Sequence, residues 1–330
     1  MATPEPAPPI RPTRFRAGEG GGANERGANG RGVAAGGASP GGGREKSRNL
    51  TRPPLPDPLP VPVPDNHCHL DIQYGEDWLE PAVALELSTS VGVDKIVQIG
   101  CDLPGAAWAV RTAERFERIV AGVAIHPNEA PRLDDNAGLD EALTEIERLV
   151  TSSPGVRAVG ETGLDYYRTG PAGVTAQRRS FAAHIEMANR HDKTLVIHDR
   201  DAHDDVLAML DEQGTPSRTV MHCFSGDADV ARRCLDRGVY LSFAGTVTFK
   251  NAGGLRDALR LAPLDRILVE TDAPFLTPMP FRGRPNASYL IPLTVRAMAQ
   301  ARSDDLETLC SSIAANTDAA FGGPWGRPTV

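Results

Sequence analysis

Two histidines separated by one residue lie in the stretch VPDNHCHLD, at the end of an extended run of the chain. Because a β-strand turns successive side chains to opposite faces, His67 and His69 point the same way and Cys68 points to the opposite side. Two imidazole rings aimed at one place indicate a metal site. A polar strand end would have the same sequence, so the pair alone does not decide between the two interpretations.

Other apolar runs of the chain end in residues that also bind metals: Glu161, His198, His222 and Asp272. If the ends of these runs meet, four histidines and two carboxylates surround one cavity. Burying such a set together without a cation would leave unpaired charges and lone pairs, at a cost of several kcal/mol. Six nitrogen and oxygen ligands are more than one tetrahedral ion needs. The set therefore favours two divalent ions that share a bridging carboxylate.

Eight short apolar runs alternate with longer amphipathic stretches, at residues 61–67, 95–100, 119–127, 156–161, 194–199, 219–224, 239–245 and 266–272. Their near-continuous apolarity is typical of parallel strands covered on both faces. Eight such units predict an α/β fold, a (β/α)8 TIM-type barrel, completed by two final helices near 287–301 and 303–320. A doubly wound open sheet is the alternative. A barrel would bring all the strand ends to one rim.

Residues 1–60 form a Gly-, Pro- and Arg-rich stretch with almost no aliphatic or aromatic side chains. Such a segment cannot offset its ordering entropy, so we predict a disordered tail over 1–60 and a barrel domain over 61–325. The whole chain carries a formal charge of -8 although the tail is basic, so the barrel is acidic. An acidic body argues against broad coating of nucleic acid, but a bound cation can still attract a phosphodiester.

Composition also indicates where the protein works. The sequence has no apolar stretch long enough to span a membrane, and its N-terminus lacks the apolar core of a secretory signal. Five cysteines without a C-x-x-C pair predict a reducing, cytoplasmic setting. Cys101 is expected to fill apolar space, and Cys68 and Cys223 to face away from the neighbouring histidines.

Seven motifs occur in one order along the chain: DNHCHLD, AIHPNE, VGETGLDYY, VIHDRDAHDDVL, MHCFSGD, LSFAGTVTFK and ILVETDAPFLTPMPFRGRPN. In this set and order, the chain strongly resembles the TatD family of metal-dependent deoxyribonucleases, within the amidohydrolase-like superfamily, over residues 64 to 322. The resemblance implies a (β/α) barrel and a divalent metal pair. It also implies hydrolysis of phosphodiester bonds, commonly as a 3'-to-5' exonuclease on single-stranded DNA.

Carried onto this sequence, the resemblance implies that His67, His69 and Asp272 hold one metal and that His198 and His222 hold the other. Glu161 would bridge the two ions. Asp272 and Glu161 are the expected catalytic residues, with Asp272 orienting or deprotonating the attacking water and a metal-only role as the alternative. Imidazole and carboxylate ligands accept Zn, Mn, Fe and, less readily, Mg, so the metal is left open.

Two residues outside the ligand set are expected to contact the substrate. Arg282, in PFRGRPN, is a better candidate for a phosphate contact than Arg284. His126 would either bind the substrate or orient a ligand. Arg200 and Asp201 are expected to fix the tautomer of His198 from behind.

DNA is the expected partner, either single-stranded or at its 3' ends, and no membrane partner is expected. The sequence sets no oligomeric state and is compatible with a monomer. Two other functions stay open. An amidohydrolase-type enzyme could cleave a C–N or ester bond in a small molecule with the same metal cage, and an inactive scaffold could retain the metal.

Overall fold

A computed structural model describes residues 49–74 and 78–326 of the chain. Its strands are β1 (Val63–Cys68), β2 (Val93–Gly100), β3 (Ile119–Val123), β4 (Val156–Asp165), β5 (Thr194–Arg200), β6 (Thr219–Met221), β7 (Tyr240–Phe243) and β8 (Ile267–Val269). Its α-helices are α1 (Pro81–Ser90), α2 (Leu103–Arg115), α3 (Ala130–Asp135), α4 (Leu139–Val150), α5 (Pro171–Arg190), α6 (His203–Gln213), α7 (Ala228–Leu235), α8 (Gly253–Leu261), α9 (Ile291–Arg302) and α10 (Leu306–Ala320).

All neighbouring strands pair in parallel, in the sequential order β1 to β8. The segment after β8 then returns to β1, where His69 N donates to Ala273 O over 2.7 Å and Asp272 N donates to His67 O over 2.9 Å. Thr271 adds hydrogen bonds to the buried Asp65 carboxylate. The predicted (β/α)8 barrel is confirmed. The doubly wound alternative is wrong, because its strand order would reverse at a switch point.

Apolar side chains from seven strands fill the barrel: Val97, Ile99, Val120, Ala158, Val196, Val220, Tyr240 and Leu268. Phe321 and Trp325, which follow α10, belong to the same buried cluster. A second and larger cluster packs the outer strand faces against the helices. This division explains the near-continuous apolarity of the strands, because side chains on both faces are buried.

The helices follow ordinary sequence signals. In α4 the buried residues Leu139, Leu143, Ile146 and Val150 form one apolar stripe. Asp102 and Asp305 cap α2 and α10 by accepting hydrogen bonds from backbone N–H groups in the first turn. In the described part of the chain, no helix combines the length and apolarity that a membrane crossing requires.

Residues 49–60 differ from the sequence-based expectation of a disordered tail that ends at residue 60. Leu59 is buried and pairs through its backbone N with Val91 O. The carbonyls of Thr51 and Arg52 accept hydrogen bonds from the Arg284 guanidinium, and Pro53 O accepts one from the Tyr289 hydroxyl. Prolines and backbone carbonyls, rather than an apolar run, attach this segment to the barrel. Residues 1–48 lie outside the described residues.

His184 on α5 supports the loop that follows β3, and its burial makes stability depend on pH. Its Nε2 accepts a hydrogen bond from Ile125 N over 3.1 Å, and its Nδ1 donates to Ser180 O over 2.6 Å. Burial lowers the pKa of His184 to about 4, although the bond to Ser180 opposes the shift. The folded state therefore binds this proton less well than the unfolded state, whose histidine pKa is about 6.5. Stability is fully present above that value and falls as the pH drops toward 4.

We therefore expect His184→Gln to reduce the acid sensitivity of the fold. Glutamine can accept and donate in the same place but does not titrate. Between about pH 7.5 and about pH 5, the wild-type chain should lose about 2 kcal/mol of unfolding free energy more than the variant loses. Urea unfolding of both proteins at the two pH values, in excess chelator, measures this difference. An equal loss in the two proteins would contradict the assignment.

Candidate metal centre

All six predicted ligands lie together at the carboxyl-end mouth of the barrel. His67, Glu161 and His198 stand on β1, β4 and β5, whereas His69, His222 and Asp272 lie just beyond β1, β6 and β8. The runs through His222 and Asp272 were predicted to be strands to residues 224 and 272, but β6 and β8 end at Met221 and Val269. These two ligands therefore belong to loops, which lie at the rim where barrel enzymes place their catalytic groups.

Glu161 is the centre of the group, and its two oxygens face different neighbours. Oε1 lies 3.7 Å from His67 Nε2 and 3.5 Å from His69 Nε2. Asp272 Oδ1 completes that side, 3.3 Å from His69 Nε2 and 3.9 Å from His67 Nε2. Oε2 lies 2.9 Å from His222 Nε2 and 3.2 Å from His198 Nδ1. The Glu161 carboxylate thus lies between two groups of possible ligands, with His67, His69 and Asp272 on one side and His198 and His222 on the other.

The residues fit metal ions. Ligand atoms about 2.1 Å from one tetrahedral ion lie about 3.4 Å apart, which matches the spacing around Glu161. His67 is fully buried, and neither of its ring nitrogens has a hydrogen-bond partner among the described residues. Buried polar atoms rarely stay unpaired. The orphaned Nε2, which faces Glu161 and Asp272, is therefore placed as a metal ligand would be.

An irregularity in β4 turns Glu161 toward the site. In strict alternation Glu161 would share the face of Val159, which packs in the outer cluster. The register of β4 against β5 shifts between Val159 and Thr162, so Glu161 faces the mouth instead. Beyond the shift, Gly163 lies opposite His198 with φ near +140°, and an added Cβ would stand 2.1 Å from His198 O. Only glycine allows the two strands to come this close.

The loop after β8 aims Asp272 at the site. Asp272 has a positive φ of 53°, a left-handed conformation uncommon for a side-chain residue. Asn286 holds this turn from below, because its Nδ2 donates to Thr271 O and Phe275 O over 2.9 and 2.6 Å. The buried Asp65–Thr271 contact fixes the other side. The Asp272 position thus depends on β1 and on a residue fourteen positions downstream.

The site's charges attract cations. Despite burial, the positive charge of His222 and hydrogen bonds from His198 and His222 hold the pKa of Glu161 well below its usual range. Burial is likewise outweighed at Asp272, whose pKa is lowered by its contact with His69. Burial alone would lower the pKa of His69, but the Asp272 and Glu161 carboxylates raise it to about 9. The ionised Glu161 and Asp272 carboxylates are therefore the groups that attract a cation to the site.

Glu270, which sequence reasoning missed, orients His222. It is fully buried, and its Oε1 accepts hydrogen bonds from His222 Nδ1 over 3.0 Å and from Cys223 N over 2.9 Å. His222 Nε2 is therefore left to face Glu161. His69 is oriented in the same way by Ile99 O, 3.0 Å from its Nδ1. A carboxylate or carbonyl behind a ligating imidazole is a common feature of metal sites, and an acid two residues before Asp272 was the available signal.

Two cysteines show features that the sequence did not indicate. Cys101 follows β2 and packs against the inner apolar cluster, as expected, but its Sγ also donates to Glu161 Oε1 over 3.3 Å. Cys223, expected in extended backbone, has a positive φ of 43°. Cys68 does pack away from the ligands, in a cluster with Leu70 and Trp108.

The support behind His198 also differs from the expectation. Asp165 takes the place predicted for Arg200 and Asp201, because its Oδ2 lies 3.4 Å from His198 Nε2 and accepts a hydrogen bond from Asn128 Nδ2 over 3.1 Å. The Arg200 guanidinium instead lies over the Tyr167 ring. Asp165 ends a strand four residues longer than the sequence indicated, which is why it was overlooked.

The two predicted substrate residues lie at different depths. His126 faces the site, with Nε2 3.9 Å from Glu161 Oε2. Its Nδ1 accepts a hydrogen bond from Asn128 N, and burial lowers its pKa to about 3, so the neutral ring carries its proton on Nε2. In this tautomer that atom can donate a hydrogen bond. Arg282 is exposed on the rim with its guanidinium carbon 4.4 Å from the centre of the Phe249 ring, whereas Arg284 is held by residues 51 and 52.

A parallel barrel with buried imidazoles and carboxylates converging at its mouth is typical of metal-dependent hydrolases. A family model described as TatD related DNase matches residues 64–322. The chain therefore belongs to the TatD family.

Individual relatives agree with this family assignment. The chain is 43% identical over 267 residues to the "uncharacterized metal-dependent hydrolase TatD" of Mycobacterium tuberculosis, covering 80% of this chain and 99% of that protein. It is 37% identical over 247 residues to the "uncharacterized metal-dependent hydrolase YcfH" of Escherichia coli, covering 74% and 90%. The crystal structure of the TatD homologue YjjV from Escherichia coli superposes with a TM-score of 0.71 at 25% identity, covering 79% of this chain and 98% of that one.

Proposed function

We propose that the protein hydrolyses phosphodiester bonds in DNA, as a 3'-to-5' exodeoxyribonuclease with two divalent metal ions. The proposal rests on the placement of the two carboxylate oxygens of Glu161. Oε1 faces His67 and His69, whereas Oε2 faces His198 and His222. A single ion would leave one of these sets of atoms unpaired. The match to the TatD related DNase model supports DNA as the substrate.

In this proposal His67, His69 and Asp272 would hold one ion, His198 and His222 would hold the other, and Glu161 would contact both. When bound, the ions stabilise negative charge on a phosphate oxygen and lower the pKa of a water molecule at the site. The buried hydrogen bonds from His222 to Glu270 and from His69 to Ile99 O keep the Nε2 atoms of both rings facing Glu161, where the ions would bind. Zn, Mn, Fe and Mg are all compatible with this ligand set.

Asp272 is the proposed group that orients the attacking water and accepts its proton. It has a side-chain exposure of 15%, compared with 5% for Glu161, so it can be reached from the mouth. Its lowered pKa keeps it ionised and able to accept a proton at neutral pH.

The substrate would be held from both sides of the mouth. His126 Nε2–H can donate to a phosphate oxygen, because its Nδ1 is occupied by Asn128 N. Arg282 on the loop after β8 can donate two parallel hydrogen bonds to a phosphate. A cytoplasmic setting is part of the proposal, since all five cysteines are free.

The test uses protein stripped of metal and reloaded separately with Mn, Zn or Mg. Each form is offered 3'-labelled and 5'-labelled single-stranded oligonucleotides, bis(p-nitrophenyl) phosphate, and a panel of small amides and carboxylic esters. We expect mononucleotides to be released from the 3' end with at least one metal and no cleavage without metal. Cleavage of the amides but of no phosphodiester would support the amidohydrolase alternative. Inactivity of every loaded form on every substrate would support the scaffold alternative.

A further inference from the structure

Arg200 ends β5, two residues beyond His198, so both side chains leave the same side of the strand. Positions i and i+2 of a strand lie about 6.6 Å apart. Arg200 therefore lies above a proposed metal ligand, within about one nucleotide unit of it. Asp165, the last residue of β4, is its register partner, and Tyr167 follows two residues later.

Tyr167 and Arg200 form a stacked pair on the rim. The guanidinium carbon of Arg200 lies 3.9 Å from the centre of the Tyr167 ring. Tyr167 is 57% exposed, the most exposed of the large hydrophobic side chains in the described part of the chain. With one ring face against Arg200, the exposed surface of Tyr167 lies on the opposite face and edges.

The charge of Arg200 is not neutralised by the surrounding protein. Within residues 49–74 and 78–326, its guanidinium makes the contact with Tyr167 but no ion pair and no hydrogen bond. Its neighbour Asp199 is engaged instead with His203, whose Nδ1 donates to Asp199 Oδ2 over 2.5 Å. Other arginines on the outer surface, such as Arg179 and Arg237, are paired with aspartates. An unpaired guanidinium beside an open aromatic face suits a ligand that is both anionic and aromatic.

We propose that Tyr167 and Arg200 form a nucleotide subsite next to the metal centre, in which a base stacks on the open face of Tyr167 and Arg200 binds a phosphate. This inference rests on the proposed function and adds the residues that hold the strand. Stacking on an aromatic ring accepts any base, because every base has a π face. The subsite would therefore bind single-stranded DNA without sequence preference. Duplex ends would bind less well, because their bases are already stacked on each other.

The experiment compares Michaelis constants for a single-stranded oligonucleotide and for the same oligonucleotide with an abasic 3'-terminal nucleotide. Metal-loaded wild type, Tyr167→Ala, Tyr167→Phe and Arg200→Ala are measured, with Arg179→Ala as the arginine control. For Tyr167→Ala on the intact oligonucleotide we expect KM to rise about tenfold, or about 1.4 kcal/mol. Tyr167→Phe keeps the ring and should change KM less than twofold. On the abasic substrate, Tyr167→Ala and wild type should have nearly the same KM, because there is no terminal base to stack on the ring.

Arg200→Ala should raise KM for both oligonucleotides, because the phosphate contact does not need the base. It should also make the dependence of KM on salt shallower, since one phosphate contact fewer releases fewer counterions. Arg179→Ala should change neither KM nor its dependence on salt. Metal content and thermal midpoint, measured for each variant, separate these effects from misfolding.

Three outcomes would overturn the subsite. The first is equal KM values for wild type and Tyr167→Ala on the intact oligonucleotide. The second is an equal loss on intact and abasic substrates, which would give the ring a merely structural role. The third is that wild type cleaves bis(p-nitrophenyl) phosphate but no oligonucleotide. In that case phosphodiester hydrolysis would be retained as the function and the nucleotide subsite would be rejected. Wild type that cleaves neither would overturn the proposed function itself.

Discussion

Glu161→Gln is expected to lower kcat for phosphodiester hydrolysis at least about a thousandfold, a loss of about 4 kcal/mol in transition-state stabilisation. The physical reason is the position of its two oxygens. Each faces a different set of ligands, His67 and His69 on one side and His198 and His222 on the other. Glutamine has one carbonyl oxygen and one NH2 donor, so it can contact only one ion with an oxygen.

The measurement combines steady-state kinetics with metal analysis. Wild type should retain two ions per chain after gel filtration, and Glu161→Gln no more than one. Glu145→Gln is the matched control, because Glu145 lies on the outer surface in an exposed pair with Arg148. It should keep both metal and activity. A Glu161→Gln protein with two ions and more than a tenth of wild-type kcat would refute the bridging role.

Asp272→Asn is expected to lower kcat by about 10²- to 10⁴-fold, the range that a positioned proton acceptor contributes. The asparagine oxygen can still contact a metal ion but has little basicity. The His67 O and Asn286 hydrogen bonds that shape this loop involve backbone atoms, so the turn should survive the change. The defect should therefore appear in kcat more than in metal content.

Titrating metal into Asp272→Asn distinguishes the two roles that the residue could have. If Asp272 only holds metal, kcat should recover as the metal concentration rises to saturation. If it accepts a proton, kcat should stay low with the site fully loaded. Asp265→Asn is the control, since Asp265 is exposed at the opposite end of β8. Full recovery of kcat by added metal would exclude the proton-accepting role.

The strands and ligand types were predictable because their signals are local. Each barrel strand needs a short apolar run, and each helix needs an apolar stripe and a cap, so eight repeats of this pattern indicated the barrel. Imidazoles and carboxylates are common metal ligands, and barrel topology sends the strand ends to one rim. His67, His198 and Asp272 could therefore be named as neighbours although they are far apart in sequence.

The rest depended on contacts between distant residues. Glu161 faces the mouth only because β4 changes register against β5, and strand periodicity alone would have turned it outward. Glu270, Asp165 and Cys101 acquire their positions from the ligands that they touch, and Arg200 from the Tyr167 ring. Sequence by itself determined the barrel and the chemical types of the candidate metal ligands, because periodicity and donor chemistry belong to single segments. Tertiary structure alone decided which face each polar group took and which partner oriented it, because those depend on the pairing of separate strands.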